Sequence, residues 1–176
     1  MLTIDMAEPA VSMAEAQAYA RVETGEEEAL LAGLVRSASA LCEQFTGQVL
    51  MLRPFEEVMA ASGEWQRLSL TPVRSIDEVA VLAADGTGLV LPIAAYAVDV
   101  DANGDGWMRL TTSAAGRVRV SGQAGLSSGT NGVPEPLRQG ILRLVAHLFT
   151  TRDGSGGEPP AAVTALWRPY CRMRLV

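Results

Sequence analysis

The stretch TGEEEALLAGLVRSASALCEQFTG, residues 24–47, decides how the rest of the chain is read. Thr24-Gly-Glu-Glu27 has the form of a capping box, and Glu26, Glu27 and Glu28 fall where the helix dipole favours negative charge. From there Leu30, Leu31, Leu34, Val35, Ala38, Leu41, Cys42 and Phe45 recur at spacings of three and four, which places them on one face of a helix. Gly47 is a natural C-terminal stop. Directly after it the apolar period shortens, so the helix ends where a β region begins.

Upstream, Ser12-Met-Ala-Glu15 is another capping box and opens a short helix to about Arg21. Downstream, Val49–Met59 mixes apolar and charged residues around Pro54, the pattern of an edge strand or a bulge. Gln66–Leu70, Ile76–Ala83, Leu89–Leu91, Tyr96–Val100, Trp107–Leu110 and Arg117–Ser121 are short, rich in β-branched residues and separated by turn signals. Asp85-Gly86 is a good hairpin turn. These runs predict a small antiparallel sheet.

Residues 126–133 (LSSGTNGV) form a loop, and Pro134 and Pro136 start a helix where a missing N–H costs nothing. Leu137, Ile141, Leu144, Val145 and Leu148 line its buried face. Residues 151–160 (TRDGSGGEPP) read as a linker before a short helix through Trp167. Helices, then strands, then helices make an α+β chain. The expectation is a single domain over 1–176: a small helical bundle from helices at about 12–46 and 134–168, a β-insertion at about 48–122, and a basic tail at 168–176.

Length and composition set the class. The chain has 176 residues, 48% hydrophobic and 19% charged, which is globular composition. No apolar run approaches a membrane span of roughly 20 residues, and the first residues lack the pattern of a signal peptide. Two cysteines, Cys42 and Cys171, predict no disulfide framework. Net charge is −6 and unevenly spread: residues 1–64 carry eleven acids against three Arg, and residues 134–176 three acids against six Arg. Opposite signs at the two ends suit head-to-tail association better than wrapping nucleic acid.

Asp99–Gly106 (DVDANGDG) invites a calcium-loop reading. Begun at Asp99, the pattern puts Leu110 at the position that needs a bidentate Glu; begun at Asp101, it puts Thr112 there. The flanks alternate like strands, so the segment reads as a hairpin turn, with Asn-Gly and Asp-Gly supplying positive φ. No metal site and no cofactor are expected. His147, the only histidine, has no nucleophile motif to serve, and without lysine there is no phosphate-loop lysine. Cys42 belongs to a buried stripe, and Cys171 lies in the tail. No catalytic residue is expected. The tail is more suggestive: Arg168, Arg172 and Arg174 alternate with Trp167, Tyr170 and Met173, residue types that anchor interfaces.

The order of these parts resembles the head–tail connector (adaptor) proteins of tailed bacteriophages and their relatives in gene transfer agents. The resemblance is carried by residues 9–50 (PAVSMAEAQAYARVETGEEEALLAGLVRSASALCEQFTGQVL), 70–87 (LTPVRSIDEVAVLAADGT), 133–153 (VPEPLRQGILRLVAHLFTTRD) and 163–175 (VTALWRPYCRMRL). Gly140, which breaks an otherwise good helix, departs from the pattern, as do Thr150-Thr151. The resemblance implies a structural, non-enzymatic protein at the head–tail joint of a virion or phage-like particle, assembled in the bacterial cytoplasm. It implies a homo-oligomeric ring of about twelve copies beneath the portal protein, meeting stopper or tail proteins on its other side. DNA would pass through the ring without specific binding, and no membrane is involved. The expected portal-binding residues are Trp167, Arg168, Tyr170, Arg172, Met173 and Arg174. The expected inter-subunit residues are Glu26, Glu27 and Glu28 on one side and Arg138 and Arg143 on the other. The alternatives are a stopper or tail-terminator ring protein, or a free-standing β-rich module binding calcium or a glycan through Asp99–Gly106.

Overall fold

A computed structural model describes residues 1–5, 8–22, 27–112, 116–151 and 159–172. The chain separates into two compact units, each built from two stretches of sequence. One comprises residues 1–7 and 52–126; the other comprises residues 8–51 and 127–176.

The first unit is β-structure. Strands β1 (Leu2–Ile4), β2 (Arg53–Ala60), β3 (Gln66–Arg67), β4 (Val73–Leu82), β5 (Gly88–Val90), β6 (Tyr96–Val100), β7 (Gly106–Leu110) and β8 (Arg117–Ala124) form two antiparallel sheets. A five-stranded sheet has the order β1-β2-β8-β4-β5, and a three-stranded sheet the order β3-β7-β6. The expected single sheet is therefore two. β8 lies at the centre and alternates as a half-buried strand should: Val118, Val120, Gly122 and Ala124 are buried, and Arg119, Ser121 and Gln123 between them are less so. Phe55, Val73 and Val79 complete that face, while Leu68 and Leu70, from the segment after β3, and Met108 and Leu110, from β7, are buried as well.

β2 is not the expected edge. β1, which has too few residues to show a period, covers its outer side, pairing Leu2 with Glu57 and Ile4 with Phe55. Pro54 is tolerated because its missing N–H falls on the β1 side, just past the point where that strand ends. Glu57 is buried, and both its carboxylate oxygens accept the Ser69 N–H, at 3.2 and 2.9 Å.

The second unit is helical, with α1 (Met13–Ala20), α2 (Glu28–Thr46), α3 (Glu135–Thr150) and α4 (Ala161–Trp167), followed by a 3₁₀ turn at Arg168–Tyr170. α3 packs against each of the other three helices. The Ser12 capping box forms as expected: the Glu15 N–H donates to Ser12 Oγ, and the Ser12 N–H donates to Glu15 Oε2 at 2.9 Å. α2 opens at Glu28 with Glu27 as its N-cap, and the second capping box, which begins at Thr24, falls outside the described residues, as does Glu26. Gly47 ends α2 in the left-handed region, as its position predicts.

Gly140 does not break α3, which runs uninterrupted from Glu135 to Thr150. The glycine is a notch for Trp167. A Cβ at Gly140 would stand 2.8 Å from indole atoms Cδ1 and Cε2 and closer still to Nε1. Trp167 is fully buried there, and its indole N–H donates to the Leu137 carbonyl at 3.3 Å. Among the described residues, no helix is long and apolar enough to cross a membrane.

Candidate functional site

The Asp99–Gly106 segment spans the end of β6, the hairpin turn at 101–105 and the first residue of β7. One carboxylate oxygen of Asp101 accepts the backbone N–H groups of Asn103 (2.8 Å) and Asp105 (3.0 Å), which folds the loop onto its own side chain. Gly104 has φ +78°, as the Asn-Gly pair predicts, and it packs on Pro72, whose Cβ lies 2.8 Å from where a Gly104 Cβ would be. Gly106 is needed for a different reason than expected. It lies in β7, where a Cβ would meet Val73 and Leu68 at 2.8 and 2.9 Å. Among the described residues, no three His, Cys, Asp or Glu side chains gather as a metal site would require.

Cys42 is fully buried, and burial pushes its thiol well up, as for an inert core residue. His147 is half-buried on α3, and its carbonyl accepts the Thr151 N–H at the helix end.

The C-terminal segment is tied to the end of α2. Gln48 Nε2 donates to the Tyr170 carbonyl at 2.6 Å, and the Arg172 N–H donates to the Thr46 carbonyl at 3.0 Å. The Cys171 thiol points at the Phe45 carbonyl, 3.4 Å away. Trp167, expected as a docking residue, is instead a core residue of the helical unit. It packs obliquely against Phe45 with ring centroids 5.7 Å apart. Arg168 is exposed, and Tyr170 and Arg172 are half-buried; Met173 and Arg174 lie outside the described residues. Among the described residues, 167–172 thus form a pinned strap with one exposed arginine, Arg168, and not a free arm from Trp167 onward.

Arg138, expected between subunits, is engaged within its own unit. Only 14% of its side chain is exposed, and its guanidinium pairs with Glu15 on α1 and with Glu135 at 3.0 Å. Glu15 therefore serves both its cap and α3. The Ser12 hydrogen bonds first, and Arg138 after them, hold its carboxyl below the usual range. Arg143 and Glu28 are exposed, and Glu27 is half-buried.

Two features were not evident from sequence. The apolar residues of α2 split into two rows, because a face drawn from eight residues is wider than the core beneath it. Leu31, Val35, Ala38 and Cys42 are buried, while Leu30, Leu41 and Phe45 remain about two-fifths exposed. In the β unit, Leu89, Val90 and Ile93 are 73%, 54% and 83% exposed.

No protein-family model matches the chain, and no curated protein matches it in sequence. Solved structures do. The chain is similar to one in the neck of an empty gene transfer agent particle, computed with C6 symmetry: TM-score 0.81 and 25% identity, covering 100% of this chain and 97% of that one. A chain of the virion of the native particle matches with TM-score 0.79 and 23% identity over the same shares. A chain of the native neck, computed with C12 symmetry, matches with TM-score 0.76 and 22% identity, again over 100% and 97%. From end to end, then, this chain has the fold of chains built into the neck and virion of gene transfer agent particles, the kind of particle to which the resemblance of its sequence points.

Proposed function

We propose that this protein is a head–tail connector (adaptor) of a phage-like particle, a structural component at the head–tail joint. The observation that carries the reading is the likeness of the whole chain, both units included, to a neck chain of such a particle at TM-score 0.81. Two of its neighbours come from necks computed with C6 and C12 symmetry, which supports a ring of about twelve copies; that ring would assemble in the bacterial cytoplasm. The ring would extend the DNA channel below the portal protein and present its far side to stopper or tail proteins. A net charge of −6 suits a conduit, since arginine-rich walls would hold DNA by phosphate neutralisation.

The portal contact we assign to Arg168, Tyr170, Arg172, Met173 and Arg174, with Trp167 as the buried root that holds the segment in place. The acids Glu26, Glu27 and Glu28, opposed by Arg143, supply charges of opposite sign for neighbouring copies. Arg138 contributes from within, by fixing α1 to α3.

The test is an in-frame deletion of the gene and electron microscopy of the particles its host releases. DNA-filled heads beside detached tails are the expected result. Intact tailed particles would refute the connector role. Tails still joined to heads that have lost their DNA would favour a stopper.

A further inference from the structure

We infer that the β4–β5 arm, Ala83–Ala94, seats on the exposed apolar row of α2 in the next copy and so closes the ring; this rests on the ring reading above. The arm is uncovered on three sides. β5 is an end strand, so among the described residues no strand pairs with its outer edge. Leu89 and Val90 are adjacent in a strand and point to opposite faces, yet both are exposed, so neither face is covered. Among the described residues, Leu89, Val90 and Ile93 are the most exposed large apolar side chains after Met1. Open apolar edges invite pairing with another chain, and contiguous exposed apolar surface marks interaction sites.

The receiving surface is the second row of α2. Leu30, Leu34, Leu41 and Phe45 follow one another at the spacing of a single helix face, one residue behind the buried row. From Leu30 to Phe45 it extends roughly 22 Å at 1.5 Å per residue. Leu30, Leu41 and Phe45 are 44%, 38% and 38% exposed; in the helical unit, Tyr19 is the other large apolar side chain as open among the described residues.

Two features favour a second copy over a foreign partner. Cyclic assembly needs two unlike, complementary surfaces on one chain, and this chain carries an apolar arm and an apolar row. Their charges also complement each other. Asp85 at the turn is the only charged residue from Val81 to Val98, and Arg36 is the only one from Ala29 to Cys42. The Arg36 guanidinium lies back beside Gly33, with Nη2 4.0 Å from where a Gly33 Cβ would be, on the flank of the row.

The test uses particles from a host carrying the gene with Cys171→Ser, Ile93→Cys and Leu41→Cys, treated with a short bismaleimide. A ladder of covalent multimers extending beyond the dimer, absent with either single cysteine, is the expected result. If microscopy shows the ring in the neck but the double variant stays monomeric, the arm does not meet the row and this inference fails alone. If Leu41→Cys joins to a different protein, the row belongs to that partner and the inference also fails. If no ring of this chain is present, the ring reading falls and takes the inference with it. Independently, Ile93→Asp should lower the copies per particle about tenfold or more, because the contact would bury an unpaired carboxylate. The isolated variant should keep the wild-type circular dichroism. Wild-type copy number in Ile93→Asp particles would overturn the proposal.

Discussion

Replacing Gly140 by alanine opposes two effects whose sizes can be compared. In an exposed helix interior, Gly→Ala stabilises by about 1 kcal/mol through propensity alone. At this position the new methyl would sit 2.8 Å from Trp167 Cδ1 and Cε2, on an indole that is fully buried. A rigid ring pinned by its N–H to the Leu137 carbonyl cannot yield as a flexible side-chain tip would. Overpacking of this kind costs about 1–3 kcal/mol, and losing the indole hydrogen bond adds about 1. If the ring were expelled altogether, the loss would approach the 3–5 kcal/mol typical of removing a buried tryptophan. The balance is a net destabilisation of about 2 kcal/mol, or roughly 4–8 °C in Tm for a chain of this size. Thermal unfolding followed by tryptophan fluorescence and circular dichroism measures it. Adding Trp167→Phe should cost less in the Gly140→Ala background than in the wild type, because the smaller ring relieves the clash. An unchanged or raised Tm for Gly140→Ala would refute the notch.

Truncation separates the two parts of the C-terminus: removing residues 167–176 takes Trp167 from the core and should unfold the helical unit, whereas removing 173–176 should leave its circular dichroism intact and weaken portal binding in a pull-down. Equal effects of the two deletions would contradict the placement of Trp167. Glu15→Gln should cost about 1 kcal/mol or less at neutral pH, since the site is partly solvated. The Glu15 carboxyl is held low in the folded state, so its contribution is present above the ordinary glutamate value and is lost as pH falls through the folded value. Urea unfolding between pH 3 and 7 should therefore show a shallower acid dependence for the variant, and parallel curves would remove Glu15 from the account. Gly104→Ala combines a φ of +78° with an approach of 2.8 Å to Pro72 and should destabilise by about 1–3 kcal/mol, read by urea denaturation. A loss no larger than that of Gly86→Ala, where the φ is also positive but the surrounding space is open, would leave the Pro72 contact without weight.

Local signals carried much of this architecture because they act over a few residues. Ser12 and Glu15 satisfy each other within one turn, Gly47 stops α2 where its sequence position predicts, and Asp85-Gly86 and Asn103-Gly104 make the turns that their backbone preferences favour. The α+β order and the overall resemblance follow from such elements taken in sequence. β1 was not legible, since three residues have no period and their partner in β2 lies about fifty positions away. Nor was the division of the strands into two sheets, which depends on which edges meet.

Residue type alone also could not say which side of a surface a group occupies. Trp167, Arg138 and Gly140 show this best. An Arg/aromatic tail, a basic helix and a glycine in mid-helix are the same letters whether they face a partner or each other. Sequence by itself determined the helix–strand–helix order, the caps and turns, and the charge asymmetry, because these arise from neighbouring residues and simple counts. Tertiary structure alone decided that Trp167 fills the Gly140 notch, that Arg138 holds Glu15, and that one row of α2 and the β4–β5 arm stay uncovered, because burial is settled by which distant segments pack together.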